Sequence, residues 1–431
     1  MLTAKQHQHA TKMALSVRAL TAAPQLLLLP LLLSVSLVIV NGDGRTRPLL
    51  PVRSTIMNSA AEGDAGALPS PSPAGLCLKV GDYGYTCQEY KVTTEDGYIL
   101  SLNRIPTGGQ PVLLQHGVLV DGMTWLVNGM NQSLALVLAD AGYDVWIANT
   151  RGTRWSRGHI SLDPAQREYW EWSWDELAKF DLPDTFNFVY SHTGQKLHYV
   201  GHSLGTLIAL ASFSQHKLVD KLRSAALLSP IAYLSHMTTP VGQSAAKSLI
   251  GEVLIKLGQF KFDLRSEAVV NILKLVCAKA PGADCYDMMT SFTGKNCCLN
   301  SSTVDVFLRN EPQPTSTKNM VHLAQIVRHG TIAMYDYGIH ENLAQYGQIE
   351  PPIYNMSGVP NDLPLFLSYG GQDALSDSLD VELLLATLGT SVRGDDLVVQ
   401  FVRDYGHADF VMGTNAKHDV YDFVIEFFRR H

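Results

Sequence analysis

Gly201-His-Ser-Leu-Gly205 stands directly between an apolar strand-like run, Leu197–Val200, and an apolar helix-like run, Leu204–Ser214. A strand that turns straight into a helix at a serine needs small residues on both sides, because strand and helix approach closely there. Gly201 and Gly205 meet that need and let the Ser203 hydroxyl project from the turn. The pattern around it repeats. Val112–His116, Tyr143–Ala148 and Ser224–Ser229 read as short buried strands, with helical spacing at Ser133–Ala141 and Trp174–Tyr190 between them. The alternation resumes with strand Leu363–Tyr369, helix Leu379–Leu388, strand Leu397–Val402 and helix Val420–Arg429. Strands alternating with helices predict an α/β fold, a mostly parallel sheet with helices on both faces. Between Pro230 and about Pro360 the rhythm is lost, although Val253–Leu257 and Ala268–Val276 still have helical spacing. A structureless loop of that length is not expected, so 231–359 reads as an inserted, mainly helical cap or lid subdomain. The core is then 77–230 and 360–431.

A serine at such a turn becomes a nucleophile only with a base, and the base needs an orienting carboxylate. In α/β-hydrolases these follow in the order Ser, acid, His, each after a strand. Asp373 follows the strand ending at Tyr369, and His407 follows the strand ending at Val402. Ser203, Asp373 and His407 are therefore the expected catalytic triad. Asp377 is a rival acid four residues further on, and Asp409 lies too near the histidine to face it. A tetrahedral intermediate needs two backbone donors. Leu204, next after the nucleophile, supplies one. Val118 in the loop after Val112–His116 supplies the other, with Leu119 as the alternative. His202 reads as packing beside the turn.

Leu26–Val40 is an apolar run preceded by Lys5, Lys12 and Arg18. This is the layout of a secretory signal peptide, over about 1–42, and the run is short for a membrane span, which needs about 20 residues. A signal anchor is the alternative reading, as is a later start at Met13. Residues 43–76 are rich in Ala, Gly, Ser and Pro and read as a flexible leader. After signal cleavage no stable transmembrane span is expected. An exported chain can form disulfides. Cys77 with Cys87 and Cys277 with Cys285 are the expected pairs, while the adjacent Cys297 and Cys298 stay open. A zinc site competes weakly, since there is no CxxC. Asn131, Asn300 and Asn355 each begin an Asn-x-Ser sequon and are glycosylation candidates. With 33 basic against 40 acidic residues, the chain has no excess to hold a phosphate backbone, so nucleic acid is not an expected partner.

The chain resembles the acid lipases: gastric and lysosomal acid lipases and the plant triacylglycerol lipases. The resemblance lies in Gly84-Tyr-Thr-Cys-Gln-Glu-Tyr-Lys-Val-Thr-Thr-Glu-Asp-Gly-Tyr-Ile-Leu100, Leu114-Gln-His-Gly117 and Leu138–Trp146. It continues in Asn149-Thr-Arg-Gly152, Asp175–Pro183, Gly201–Gly205 and Tyr405-Gly-His-Ala-Asp-Phe410. It implies an α/β-hydrolase core, a cap over the site, no cofactor and no metal. It also implies hydrolysis of triacylglycerols, and in some members steryl esters, with neutral lipid met at a lipid–water interface. Secretion or a lysosome- or vacuole-like lumen follows. Two departures stand out. Leu204 replaces the Gln common in animal members, and the Cys297/Cys298 doublet resembles the plant branch. The same machinery could instead serve an acyltransferase or a short-chain esterase, and a non-catalytic lipid carrier is the third reading. The tryptophans, all between Trp125 and Trp174, read as core packing, with an acyl channel as the alternative.

Overall fold

The computed structural model describes residues 75–266, 269, 271, 288–389, 392 and 394–431. The expected signal peptide, nearly all of the leader, the Cys277/Cys285 pair and most of Ala268–Val276 lie outside them. Helix α1, Gly75–Asp82, starts slightly before the expected end of the leader and buries Leu76 and Val80. The disulfide Cys77–Cys87 ties it to the first strand.

The main sheet is built from β1 (Gln88–Thr93), β2 (Tyr98–Ile105), β3 (Pro111–Gln115), β4 (Asp144–Ala148) and the two-residue β5 (Gly158–His159). It continues with β6 (Leu197–His202), β7 (Leu222–Leu228), β10 (Leu365–Gly370) and β11 (Leu397–Val402). Their order is β1-β2-β4-β3-β6-β7-β10-β11, with β5 beside β2. From β4 to β11 every pairing is parallel, whereas β1–β2 and β2–β4 are antiparallel. The central strands are buried along their whole length, which is why they read as continuous apolar runs rather than alternating ones. Successive side chains still go to opposite faces. Leu113 joins one core with Leu207, Leu210, Phe213 and Trp172. Val112 and Leu114 join the other with Leu126, Leu134 and Phe427.

Helices α2 (Leu134–Asp140), α3 (Leu182–Thr193) and α4 (Leu204–Ser214) lie between these strands in the chain. Leu204 through Phe213 are all buried, so α4 is apolar on every side, as a helix enclosed by protein must be. Between β7 and β10 come α5 (Pro240–Lys247), α6 (Ile250–Lys256), α7 (Met288–Thr293), α8 (Ser301–Asn310), α9 (Thr317–His329) and α10 (Ile339–Tyr346). A small antiparallel pair, β8 (Lys261–Phe262) with β9 (Thr315–Ser316), joins them. Helices α11 (Ser378–Leu388) and α12 (Asp422–Arg430) complete the α/β pattern. Five of the six tryptophans pack as core, Trp155 being only partly buried. Trp125, Trp146, Trp172 and Trp174 are fully buried, and Trp174 stacks on His322 of α9. Under the β1–β2 hairpin, the buried Arg151 forks between Asp181 at 2.6 Å and Asp96 at 2.6 Å. It thereby fixes the hairpin turn to the residues leading into α3.

Candidate active site

Ser203 stands between β6 and α4 with φ 55° and ψ −121°, a backbone conformation that costs a non-glycine residue about 1–3 kcal/mol. The surrounding structure enforces it. A Cβ on Gly205 would lie 2.5 Å from the Gln115 carbonyl, and one on Gly201 would lie 2.9 Å from the Gly205 backbone. Strand and helix therefore touch backbone to backbone, as the glycine spacing predicts. Gly117 is held just as tightly against the serine: a Cβ there would sit 2.9 Å from Ser203 Cβ. This sets the loop carrying Val118 and Leu119 beside the hydroxyl, while Leu204 begins α4 behind it.

The loops after β10 and β11 bring Asp373 and His407 together. His407 Nδ1 lies 2.9 Å from Asp373 Oδ2 and 3.1 Å from Oδ1, and both residues are buried. A carboxylate only accepts, so Nδ1 carries the proton and Nε2 is the basic nitrogen. Nε2 is buried and has no hydrogen-bond partner among the described residues, Ser203 included. Burial by itself would raise the Asp373 carboxyl. The His407 ring and the N–H groups of Ser376 and Leu375, at 2.8 and 2.9 Å, outweigh it and hold the group below its ordinary value. Asp373 thus stays ionised next to the imidazole. Its rivals have other tasks. Asp377 caps α11 by accepting from Leu379 N at 2.9 Å. The Asp409 carboxylate accepts backbone N–H groups from Gly406, Cys297 and Cys298.

Two further histidines serve the site's shape. The His407 carbonyl accepts from His202 Nε2 at 3.0 Å, which joins the serine turn to the loop after β11. Burial, and next the neighbouring His407, push His202 down to about 3, so it is a neutral donor. His116 accepts from Thr150 N through Nε2 at 3.0 Å and donates from Nδ1 to the Gly117 carbonyl at 2.8 Å. It orients the Gly117–Val118 peptide next to the serine. Neither role is visible from local sequence, although His202 adjoins the nucleophile and His116 ends a buried strand.

Leu119 reaches into a separate apolar cluster formed by Leu254 of α6, Phe262 and Val269, and its carbonyl accepts from Gln313 N at 2.8 Å. The insertion is therefore packed directly onto the loop beside the serine. Cys297 and Cys298, left open by the sequence, are joined to each other. Their sulfurs and the Asp409 carboxylate lie as close together as metal ligands would, but disulfide sulfurs offer no thiolate.

The description "alpha/beta hydrolase fold" matches residues 110–249, and "Partial alpha/beta-hydrolase lipase region" matches 80–129. Triacylglycerol lipase 2 of Arabidopsis thaliana is 53% identical over 388 residues, covering 86% of this chain and 92% of that protein. Gastric triacylglycerol lipase of Homo sapiens is 37% identical, covering 80% of this chain and 88% of that protein. The chain belongs to the acid lipase family. Another member, human lysosomal acid lipase/cholesteryl ester hydrolase, is 36% identical and covers 86% of this chain and 95% of that protein. Among solved structures, a lipase in its open form superposes with a TM-score of 0.52 at 17% identity, over 80% of this chain and 99% of that one. That likeness carries the fold, an α/β-hydrolase, which agrees with the architecture read from the sequence. This acid lipase family member is a serine hydrolase of the lipase class. No helix among its described residues is long and apolar enough to cross a membrane.

Proposed function

We propose that the protein hydrolyses fatty-acyl esters of triacylglycerol, and of sterols as a second substrate class, at a lipid–water interface. Ser203, His407 and Asp373 carry the reaction. The observation that supports this most is the buried His407–Asp373 pair, its Nε2 unpartnered among the described residues, joined through His202 to the turn that holds Ser203 at positive φ. Ser203 Oγ attacks the ester carbonyl while His407 Nε2 takes its proton. The backbone N–H groups of Leu204 and Val118 stabilise the oxyanion. His407 returns the proton to the departing alcohol, leaving an acyl-Ser203. Water, deprotonated by the same nitrogen, then releases the fatty acid and restores the serine. Asp373 keeps the imidazole in its tautomer and stabilises the imidazolium. No step requires a cofactor.

The seating of the protein in the secretory pathway, as a secreted or vacuole-like lumenal enzyme, belongs to the same reading. Two disulfides support it, as do exposed side chains at all three sequons, Asn131, Asn300 and Asn355. The relatives whose names place them in stomach and lysosome support it too. The direct test is hydrolysis of emulsified triolein, a steryl ester and a short p-nitrophenyl ester by the wild-type protein and Ser203→Ala. We expect the wild type to cleave triolein and the variant to lose that rate by about 10⁴-fold or more. Triolein hydrolysis by Ser203→Ala at the wild-type rate would refute the triad. Wild-type cleavage of the short ester alone would refute the lipid substrate.

A further inference from the structure

The backbone around His407 is pinned on every side, and most of the pins come from one short piece of the insertion. His407 N donates to the Thr293 carbonyl at 2.9 Å. The next N–H, of Ala408, donates to Asn296 Oδ1 at 3.0 Å. The preceding one, of Gly406, donates to Asp409 Oδ2 at 2.7 Å. Asp409 is itself held from the insertion, accepting from Cys297 N at 3.0 Å and from Cys298 N at 3.0 Å. Two consecutive peptide N–H groups aimed at one carboxylate are unusual in an extended chain, where successive groups point opposite ways. The Cys297–Cys298 bridge closes a small ring over these two residues. Thr414 N, beyond the base loop, donates to the Cys298 carbonyl at 2.8 Å.

The same piece also grips the acid. Gly294 pairs with Asp373 in a single antiparallel bridge. A Cβ on Gly294 would lie 2.2 Å from the Gln372 carbonyl, and one on Gly406 would lie 2.7 Å from Asn296 Oδ1. Residues 293–298 are thus wedged between the two loops whose separation sets the His407–Asp373 contact.

We infer that Thr293–Cys298, closed by the Cys297–Cys298 disulfide and fastened through Asp409, is a clasp that positions His407 against Asp373, with Asp409 its principal positioning residue. The inference rests on reading His407 as the base. Asp409 touches no reacting atom and acts through the Gly406 and cysteine N–H groups it accepts. Loss of its charge frees the base loop to shift, and a shift of about 1 Å in a catalytic group costs on the order of 10²-fold in rate.

The test uses the full-length chain and three variants: Asp409→Asn, Cys297→Ala/Cys298→Ala and Ser203→Ala. Each is followed by thermal unfolding, by kcat and KM on emulsified triolein, and by the first-order rate of Ser203 labelling with an active-serine phosphonate. The labelling rate reports each folded molecule and is blind to the fraction folded. For Asp409→Asn we expect kcat and labelling rate to fall together by about 10- to 100-fold with KM little changed, the pattern of lost transition-state positioning. The double cysteine variant should fall in the same direction by a smaller factor. Wild-type labelling rates in both folded variants would overturn the clasp. If Asp409→Asn does not fold, the double cysteine variant decides alone, and a wild-type labelling rate there overturns it. Full activity in Ser203→Ala would instead overturn the triad reading, so the two failures are told apart.

Discussion

Three aspartates near His407 illustrate how one residue type is put to three uses by its neighbours. Asp377 faces the start of α11 and caps it. Asp409 faces backbone N–H groups. Only Asp373 faces an imidazole, and its ionised form is secured by that ring and two N–H donors. Replacing Asp373 with Asn keeps the shape but offers His407 Nδ1 a group that no longer fixes the right tautomer. We expect kcat on triolein to drop by about 10⁴-fold with the fold intact, checked by steady-state kinetics beside circular dichroism. The contact of Asp373 with His407 was legible because Asp373 lies three residues after a buried strand. The work of Asp409, Asn296 and His202 was not, because each bonds to a backbone group that only the folded chain brings near.

Among the elements, β6 and α4 are joined with almost no tolerance. The Gly205 position lies against the Gln115 carbonyl of β3, so even a methyl group must push strand from helix. Gly205→Ala should lower stability by about 1–3 kcal/mol and reduce the phosphonate labelling rate of Ser203. Denaturant unfolding together with labelling would show both effects, and an unchanged pair of values would contradict the close-packed turn. The elements around it were readable because burial on both sides of a parallel sheet leaves continuous apolar runs. The strand Leu397–Val402 and the helix Leu204–Ser214 stand where the pattern put them. The β1–β2 hairpin escaped that reading. Its strands are antiparallel and lie at the sheet's edge, with β1 mixed in polarity. The Asp96-Gly97 turn between them was the available signal. Inside the insertion the sequence indicated helices but not their packing, since the contacts of Leu119 with Leu254 and Phe262 join residues far apart in the chain.

At the scale of the whole molecule, the seam between sheet and insertion contains a titrating group. Asp175 accepts from Tyr354 Oη at 2.7 Å and Tyr335 N at 2.8 Å, both contributed by the region after α9. Burial, only partly offset by these bonds, pushes its carboxyl up to about 6 from an ordinary 3.8. A carboxyl raised in the folded state favours folding below its unfolded value and loses that contribution as pH climbs through the folded one. Asparagine does not titrate. The unfolding free energy of Asp175→Asn relative to wild type should therefore rise by on the order of 2 kcal/mol between about pH 4 and pH 7. Urea melts of both proteins across that range measure it, and a flat difference would rule the coupling out. The adjacent His322, pushed down to about 3 by burial, stays neutral in both folded proteins and cancels from the comparison.

The position of Thr293–Cys298 in the chain also bears on how the protein is made. The nucleophile turn is synthesised first and the insertion next. Asp373, and then His407, follow only after the segment that grips them both. A growing polypeptide can pair β1 to β7 around Ser203 long before it owns a working proton acceptor. On the proposed mechanism the serine of the nascent chain stays chemically idle until then.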